Sequence, residues 1–279
     1  MNILMQNPKN FNRIKLAIKN DGLDKLHILS DFDRTLTYGS VNSVKTPSII
    51  SLLRDGKHLS EGYAPKAQAM FDKYHLIETD ESIPLEQRKA AMREWWEKHY
   101  ELLTASGLSF SDLEDIVENG HLKFREGVLE FLDFLNERNI PLIILAATGC
   151  GDAIPPFFKK FDRDYPNIFY VTNRYVWDEN GKAVSIKKPI VHSLNKDETI
   201  LPEIPEVRKV IENRKNVILL GDSLGDLGMI EGFDYDNLLR IGFLNFNGGA
   251  SENDYKKSFD AVLKGDGDFK FVNDIVFNL

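Results

Sequence analysis

Leu26-His27-Ile28-Leu29-Ser30-Asp31-Phe32-Asp33-Arg34-Thr35-Leu36-Thr37 is the stretch from which the fold is read. Its mainly apolar start is short enough for a buried strand, and it stops at two carboxylates spaced to face one small volume beyond the strand end. Open α/β sheets bind their ligands there. Two acids held side by side repel. Either a cation such as Mg²⁺ sits between them, or they divide into one nucleophile and one acid. Phosphoryl transfer uses both arrangements.

Working outward from the motif, residues 9 to 20 carry Phe11, Ile14 and Ile18 at helical spacing, and Asp21-Gly22 ends that helix. On the other side, Tyr38 to Thr46 is polar and reads as a linker leading away from the strand. From 47 to 121 helical spacing recurs around Ala64 to Tyr74, Leu85 to Leu103 and Ser109 to Glu118, with no good strand. Met92, Trp95, His99 and Leu102 share one helical face. Alternation resumes with the helix Gly127 to Arg138 and the strands Pro141 to Ala147, Ile168 to Thr172, Val217 to Gly221 and Leu239 to Phe243, joined by segments of crossover length. Asn180-Gly181, set between apolar alternations from Tyr175 to Ile186, predicts a hairpin on the sheet edge. The pattern predicts an α/β fold, a mostly parallel sheet with helices on both faces, interrupted by a helical insertion. The boundaries drawn are 1–40 and 122–279 for the core and 41–121 for the insertion.

The net charge of −8 argues against nucleic acid as a partner, whose phosphates demand a basic surface. A small phosphorylated substrate needs only a locally positive site. Cys150 is the sole cysteine, so no intrachain disulfide forms. No run of about twenty apolar residues exists to span a membrane, and the first eight residues lack a signal-peptide pattern. A soluble cytoplasmic protein is the expectation.

Val217-Ile218-Leu219-Leu220-Gly221-Asp222-Ser223-Leu224-Gly225-Asp226 repeats the opening logic: a buried strand ends in acids, with glycines that let backbone approach a ligand. A dianionic phosphate among Asp31, Asp33 and Asp222 needs positive charge beyond one divalent ion, so a lysine is expected. Lys196 precedes the second acidic motif by about one crossover; Lys187 and Lys188 are its rivals.

Asp31 to Thr37 resembles the D-x-D-x-T motif of the haloacid dehalogenase superfamily of phosphatases, and Gly221 to Asp226 resembles its G-D-x-x-x-D motif. Ser30 to Thr37, Tyr74-His75-Leu76-Ile77-Glu78, Met92-Arg93-Glu94-Trp95-Trp96, His192-Ser193-Leu194-Asn195-Lys196 and Leu219 to Leu227 together resemble cytosolic 5′-nucleotidase III, the pyrimidine 5′-nucleotidase family. The resemblance implies a Rossmann-like core with a helical cap and Mg²⁺-dependent hydrolysis of nucleoside 5′-monophosphates. Asp31 would be the nucleophile that forms an aspartyl phosphate, Asp33 the acid and base, and Lys196 the phosphate-binding lysine. Mg²⁺ would be held by Asp31, the backbone carbonyl of Asp33, and Asp222, with Asp226 a ligand through water or a hydrogen-bond acceptor behind them. Glu78 would hold the nucleoside, and a second cap contact, commonly serine, falls on His99. The chain departs from the pattern at Ala146-Ala147-Thr148-Gly149-Cys150-Gly151-Asp152, where serine then alanine is expected before Gly-x-Gly-Asp. Ala147, Thr148 and Gly149 are the substrate-binding candidates there, and Thr148 is the nearby hydroxyl. Two rivals remain at this level: a phosphatase for another small phosphomonoester such as a phosphosugar or phosphoserine, and a nucleotide-binding protein without catalysis.

Overall fold

The computed structural model describes residues 2–41, 44–55, 58–80, 82–120, 122–196, 204–231, 234–245 and 251–279. The chain runs β1 (Asn2–Leu4), α1 (Pro8–Asp21), β2 (Leu26–Ser30), β3 (Ser40–Val41), β4 (Val44–Lys45), α2 (Ile49–Asp55), α3 (Tyr63–Thr79), α4 (Leu85–Ala105) and α5 (Phe110–Asn119). It continues α6 (Val128–Glu137), β5 (Leu142–Ala146), α7 (Ile154–Lys160), β6 (Ile168–Thr172), β7 (Tyr175–Trp177), β8 (Ala183–Ile186) and α8 (Pro205–Ile211). The remainder is β9 (Asn216–Gly221), β10 (Asn237–Leu244), α9 (Glu252–Ser258), β11 (Ala261–Lys264) and α10 (Lys270–Val276).

Seven strands make the main sheet in the order β1-β11-β10-β9-β2-β5-β6. All neighbours are parallel except β1, which lies antiparallel to β11. From β2 the chain winds outward through β5 and β6, then returns to β9 on the other side of β2. The winding direction therefore reverses between β2 and β9, and the crevice at their carboxyl ends is the place such sheets use for ligands. Ser30 pairs with Leu220, so the two strands end side by side, and Asp222 lies one residue beyond the level of Asp31. Every residue of β2, β5 and β9 is buried, which their apolar runs allow because helices cover both faces. Alternate residues divide between the faces: Ile28, Ile144 and Leu220 pack on one side, Leu29, Ile143 and Leu219 on the other.

Local signals fix the elements that the sequence predicts. In α1, Phe11, Ile14 and Ile18 are the buried stripe. The Asn7 side chain accepts the Asn10 N–H at 3.0 Å, and Gly22 at φ +86° turns the chain out. Val128, Phe131, Leu132 and Leu135 are buried along α6.

Four features differ from the sequence reading. The hairpin β7–β8 is a separate two-stranded sheet and does not extend the edge strand β6. It packs on the helical insertion: Phe110 N–H donates to Gly181 O at 2.8 Å, Ala183 N–H to Leu108 O at 2.9 Å, and Trp177 meets Phe110 edge-on at 5.4 Å. Asn180-Gly181, with Gly181 at φ +71°, specifies a hairpin. Its aromatic face, with Tyr175 buried, decides where it docks. The segment 38–46, read as a linker, contains β3 and β4, apart from residues 42 and 43, which lie outside the described residues. Helix α2 and the strands β1 and β11 were not predicted. Finally, the buried face of α4 includes Trp96, Tyr100 and Leu103 beside Met92, Trp95 and His99, while Leu102 is only half-buried. No described helix is long and apolar enough to cross a membrane.

Candidate active site

Asp31, Asp222 and Asp226 each present a carboxylate oxygen within 4.8 Å of the others at the ends of β2 and β9. Lys196 lies against them, its Nζ donating to Asp31 Oδ1 at 2.5 Å and to Asp226 Oδ1 at 3.0 Å. Asp226 Oδ2 accepts the Ser223 N–H at 2.9 Å and the Ser223 hydroxyl at 3.0 Å, so both its oxygens are engaged. A Cβ on Gly221 would lie 2.5 Å from Asp226 Cβ, and only glycine permits that approach. The rival lysines lie elsewhere: Lys187 is exposed, and Lys188 pairs with Glu97 at 2.8 Å.

Burial raises the pKa of Asp31 and Asp222; at Asp222 the charges of Asp31 and Asp226 add to the effect, and at Asp31 the Lys196 charge opposes it. Asp33 is pushed up to about 6 by burial, against the pull of Arg34 and Lys196. Burial also works against the charge of Lys196, but Asp226 and Asp31 outweigh it and hold its pKa above the ordinary lysine value. The Asp222 carboxylate has no hydrogen-bond or ion-pair partner among the described residues. An all-oxygen set with one unpartnered carboxylate and too much negative charge for one lysine fits a hard divalent cation. The Asp33 carboxylate lies outside the three-acid cluster and lines the neighbouring cavity instead.

That cavity, about 640 Å³, runs from Asp33, Ala147 and Thr148 on the core to Tyr63, Phe71, His75, Trp95, Trp96 and His99 on α3 and α4. Its volume is in the range of small-molecule sites. Thr148 is buried, and its Oγ1 accepts the Cys150 N–H at 3.4 Å, so the hydroxyl proton stays available. Gly149 sits beneath the helices, where a Cβ would come within 2.8 Å of the Trp96 ring. It does not line the cavity; its carbonyl accepts the Tyr175 hydroxyl at 3.0 Å.

A family model described as Pyrimidine 5′-nucleotidase (UMPH-1) matches residues 34–279. The chain belongs to the pyrimidine 5′-nucleotidase family. It is 32% identical over 275 residues to the 7-methylguanosine phosphate-specific 5′-nucleotidase of Gallus gallus, covering 98% of this chain and 94% of that protein. Among solved structures it is similar to cytosolic 5′-nucleotidase IIIB (cN-IIIB) bound to cytidine, with a TM-score of 0.87 and 26% identity over 99% of this chain and 93% of that one. A phosphoserine phosphatase, solved as a phospho-aspartyl intermediate analogue, shares the fold: TM-score 0.51 and 18% identity over 89% and 97% of the two chains. The sheet is that of haloacid dehalogenase-like proteins, and the chain is an enzyme of the 5′-nucleotidase class, a phosphoric monoester hydrolase.

Within this family member, the two cap candidates occupy different positions. His99 lines the cavity and is buried. Its Nε2 bonds the Tyr63 hydroxyl at 2.9 Å, and its Nδ1 has no partner among the described residues. Burial, helped by Arg54, pushes its pKa down to about 4, so the ring is neutral at pH 7. Glu78 is half-buried and not part of the cavity lining. One of its oxygens accepts from the Ser193 hydroxyl, and the other meets His75 Nδ1 at 3.0 Å. It thus ties α3 to the loop that carries Lys196 and touches a residue, His75, that does line the cavity.

Sequence reasoning missed two positioning groups. Asp152 accepts the Tyr175 N–H at 2.7 Å, the Trp177 Nε1–H at 3.2 Å and Arg174 Nε–H at 3.0 Å, which anchors the hairpin. Arg125, fully buried, holds the loop after Asp33. The Gly-x-Gly-Asp spacing singled out Asp152 without its role; nothing local marks Arg125.

Proposed function

We propose that this enzyme hydrolyses nucleoside 5′-monophosphates, with Asp31 as nucleophile and Asp33 as acid and base. The observation that carries this reading is the adjacency of two sites. A buried cluster of Asp31, Asp222, Asp226 and Lys196 adjoins an aromatic-walled cavity large enough for a nucleoside, and Asp33 lines that cavity near the cluster. Asp31 attacks phosphorus and forms an aspartyl phosphate, while Asp33 gives a proton to the departing ribose oxygen. A pKa near 6 suits Asp33 to both halves of that cycle, since it must donate once and then accept a proton from the hydrolytic water. Lys196 orients Asp31 through Oδ1 and supplies positive charge to the phosphoryl oxygens.

Asp31 and Asp222 would hold Mg²⁺ through their carboxylates and Asp33 through its carbonyl, while Asp226 stays bonded to Lys196 and Ser223. Bound there, the ion supplies charge neutralisation on the transferring phosphoryl group. The Thr148 hydroxyl is a neutral donor to the same group. Ala147 shapes that side of the pocket, with Gly149 behind it and turned to Tyr175.

The base would lie among Phe71, Trp95, Trp96 and His99, where ring faces and the free His99 Nδ1 are available. Such walls also suit a cationic base, because ring faces attract positive charge. This favours 7-methylguanosine monophosphate as a substrate beside the pyrimidine nucleotides, in line with the relatives that carry that name. The reading places the protein in the cytoplasm, as the name of the neighbour cN-IIIB does for that protein.

The test is phosphate release from CMP, UMP, 7-methylguanosine monophosphate, the common purine monophosphates, phosphoserine and sugar phosphates, with Mg²⁺ and with a chelator. Mg²⁺-dependent turnover highest on nucleotides supports the proposal. Preference for phosphoserine or a sugar phosphate overturns the substrate assignment. Nucleotide binding with no phosphate released overturns catalysis altogether.

A further inference from the structure

Arg125 is 1% exposed and every one of its five N–H donors is used. Nε donates to Thr35 O at 2.9 Å, and Nη2 donates to Arg34 O at 2.6 Å and Asn245 Oδ1 at 2.7 Å. Nη1 donates to Asp266 Oδ1 at 3.0 Å and Gly267 O at 2.7 Å. A guanidinium taken wholly out of water is retained only with such complete pairing.

The residues it grips are those that follow Asp33. The Asp33 carboxylate has no hydrogen-bond or ion-pair partner among the described residues, so the backbone on either side sets its place. Upstream, the Asp31 N–H is fixed to Leu220 O at 3.0 Å, and the Asp31 carboxylate to Lys196. Downstream, Arg34 adopts φ +62°, an unfavourable conformation for a side-chain-bearing residue, and its carbonyl is held from outside the loop by Arg125 and by Asn245 Nδ2 at 2.9 Å.

Asp266 carries this grip to the chain that leads into the helical insertion. It accepts the Gly39 N–H at 2.8 Å, the Ser40 N–H at 2.5 Å and the Ser40 hydroxyl at 2.7 Å. The returning chain lies alongside: Thr37 bridges Phe124, and the Arg125 N–H donates to Leu36 O at 2.9 Å. One ion pair therefore touches the loop of Asp33 at one end and the connector of the insertion at the other.

We infer that Arg125 and Asp266 form a positioning pair that aligns Asp33 and makes its alignment depend on the placement of the connector at Gly39 and Ser40. The inference rests on the acid–base role proposed for Asp33. Arg125→Lys keeps the charge and loses the fork that reaches both carbonyls and Asp266 at once. Asp266→Asn weakens the grip on the connector without touching the loop 31–36.

The readout is kcat/KM on three esters. CMP and ribose 5-phosphate both expel an alkoxide that needs a proton, and only CMP carries a base; p-nitrophenyl phosphate expels a stable anion. Arg125→Lys is expected to lower kcat/KM about tenfold to hundredfold on CMP and ribose 5-phosphate alike, part of the full acid–base contribution. On p-nitrophenyl phosphate the loss should stay below about threefold, because its leaving group does not need that acid. Asp266→Asn should give the same pattern at smaller size. Equal losses on all three esters, or a loss confined to CMP, would overturn the inference.

Should Arg125→Lys fail to fold, Asp266→Asn carries the test alone, with amide hydrogen exchange as a second measurement. Faster exchange at residues 33–37 as well as 39–40 supports the coupling, and faster exchange at 39–40 alone refutes it. A wild-type enzyme inactive on all three esters would sink the proposed function, while the exchange result would still decide the coupling.

Discussion

Lys196→Met retains most of the side-chain bulk and removes the ammonium that Asp31 and Asp226 share at 2.5 and 3.0 Å. All three side chains are less than a tenth exposed, so the acids left behind have little water to turn to. Removing one partner from a buried ion pair costs about 3–5 kcal/mol. Proton uptake limits that cost. Protonating one aspartate costs about 1.4 kcal/mol for each pH unit above its unfolded pKa near 3.9, hence about 4 kcal/mol at pH 7 and about 1.5 kcal/mol at pH 5. The sign follows from linkage. The variant's acid has a folded pKa raised above the unfolded value, so stability is retained below about pH 4 and lost as pH rises toward the folded pKa. At about 2 °C per kcal/mol for a chain of this length, the variant should melt about 8 °C below wild type at pH 7 and about 3 °C below it at pH 5. The assay is thermal unfolding of both proteins at both pH values in chelating buffer, so that no cation substitutes for the lysine. A deficit equal at the two pH values, or larger at pH 5, would refute the electrostatic account of the cluster.

Three further outcomes follow from the same geometry. Asp33→Asn should lower turnover by roughly two orders of magnitude or more while substrate still binds, which steady-state kinetics and equilibrium dialysis together check. Glu78→Ala should reduce kcat/KM on nucleotides and leave p-nitrophenyl phosphate much less affected, because Glu78 holds His75 in the cavity wall and that wall helps only substrates that reach it; equal losses would mark Glu78 as a structural tie to Ser193. Thr148→Ala should cost about a hundredfold to a thousandfold in kcat with an unchanged melting curve, the scale of one lost preorganised donor, and near-native kcat would leave that role to backbone N–H groups.

The parts of the fold legible in the sequence were those with local causes. The strand ending at Asp31 and the strand ending at Gly221 are short apolar runs buried on both faces, and their acids follow from position alone. The stripe Phe11, Ile14, Ile18 reads directly as the buried face of α1. What escaped was non-local or too short. β1 is three residues and pairs with β11, at the far end of the chain; β11 is four residues, held between β1 and β10. The hairpin turn at Asn180-Gly181 was readable, but its docking depends on Phe110, about seventy residues earlier. Arg125 looked like any surface arginine, because its partners lie at 34, 35, 245, 266 and 267.

The cavity makes the same point for specificity. Its walls are rings already stacked on one another: Phe71 on His75 at 4.8 Å, Trp95 on Trp96 at 5.7 Å, and Trp96 on His99 at 5.8 Å. The helical spacing of four in 71 and 75, and of three in 96 and 99, places each pair on one helix face. Tyr74 of α3 stacks on Trp95 of α4 at 5.8 Å and joins the two helices. Rings that support each other before a ligand arrives lose little side-chain freedom on binding, so more of the stacking energy appears as affinity. Asp33, by contrast, lines the same cavity with no side-chain anchor among the described residues. The proposed recognition thus rests on stacked aromatic walls on α3 and α4, whereas the proposed proton transfer depends on a loop held by Arg125 and Asp266. Changes to the walls should alter which nucleotide is chosen, and changes to the loop's support should alter how fast any phosphate ester with a poor leaving group is cleaved.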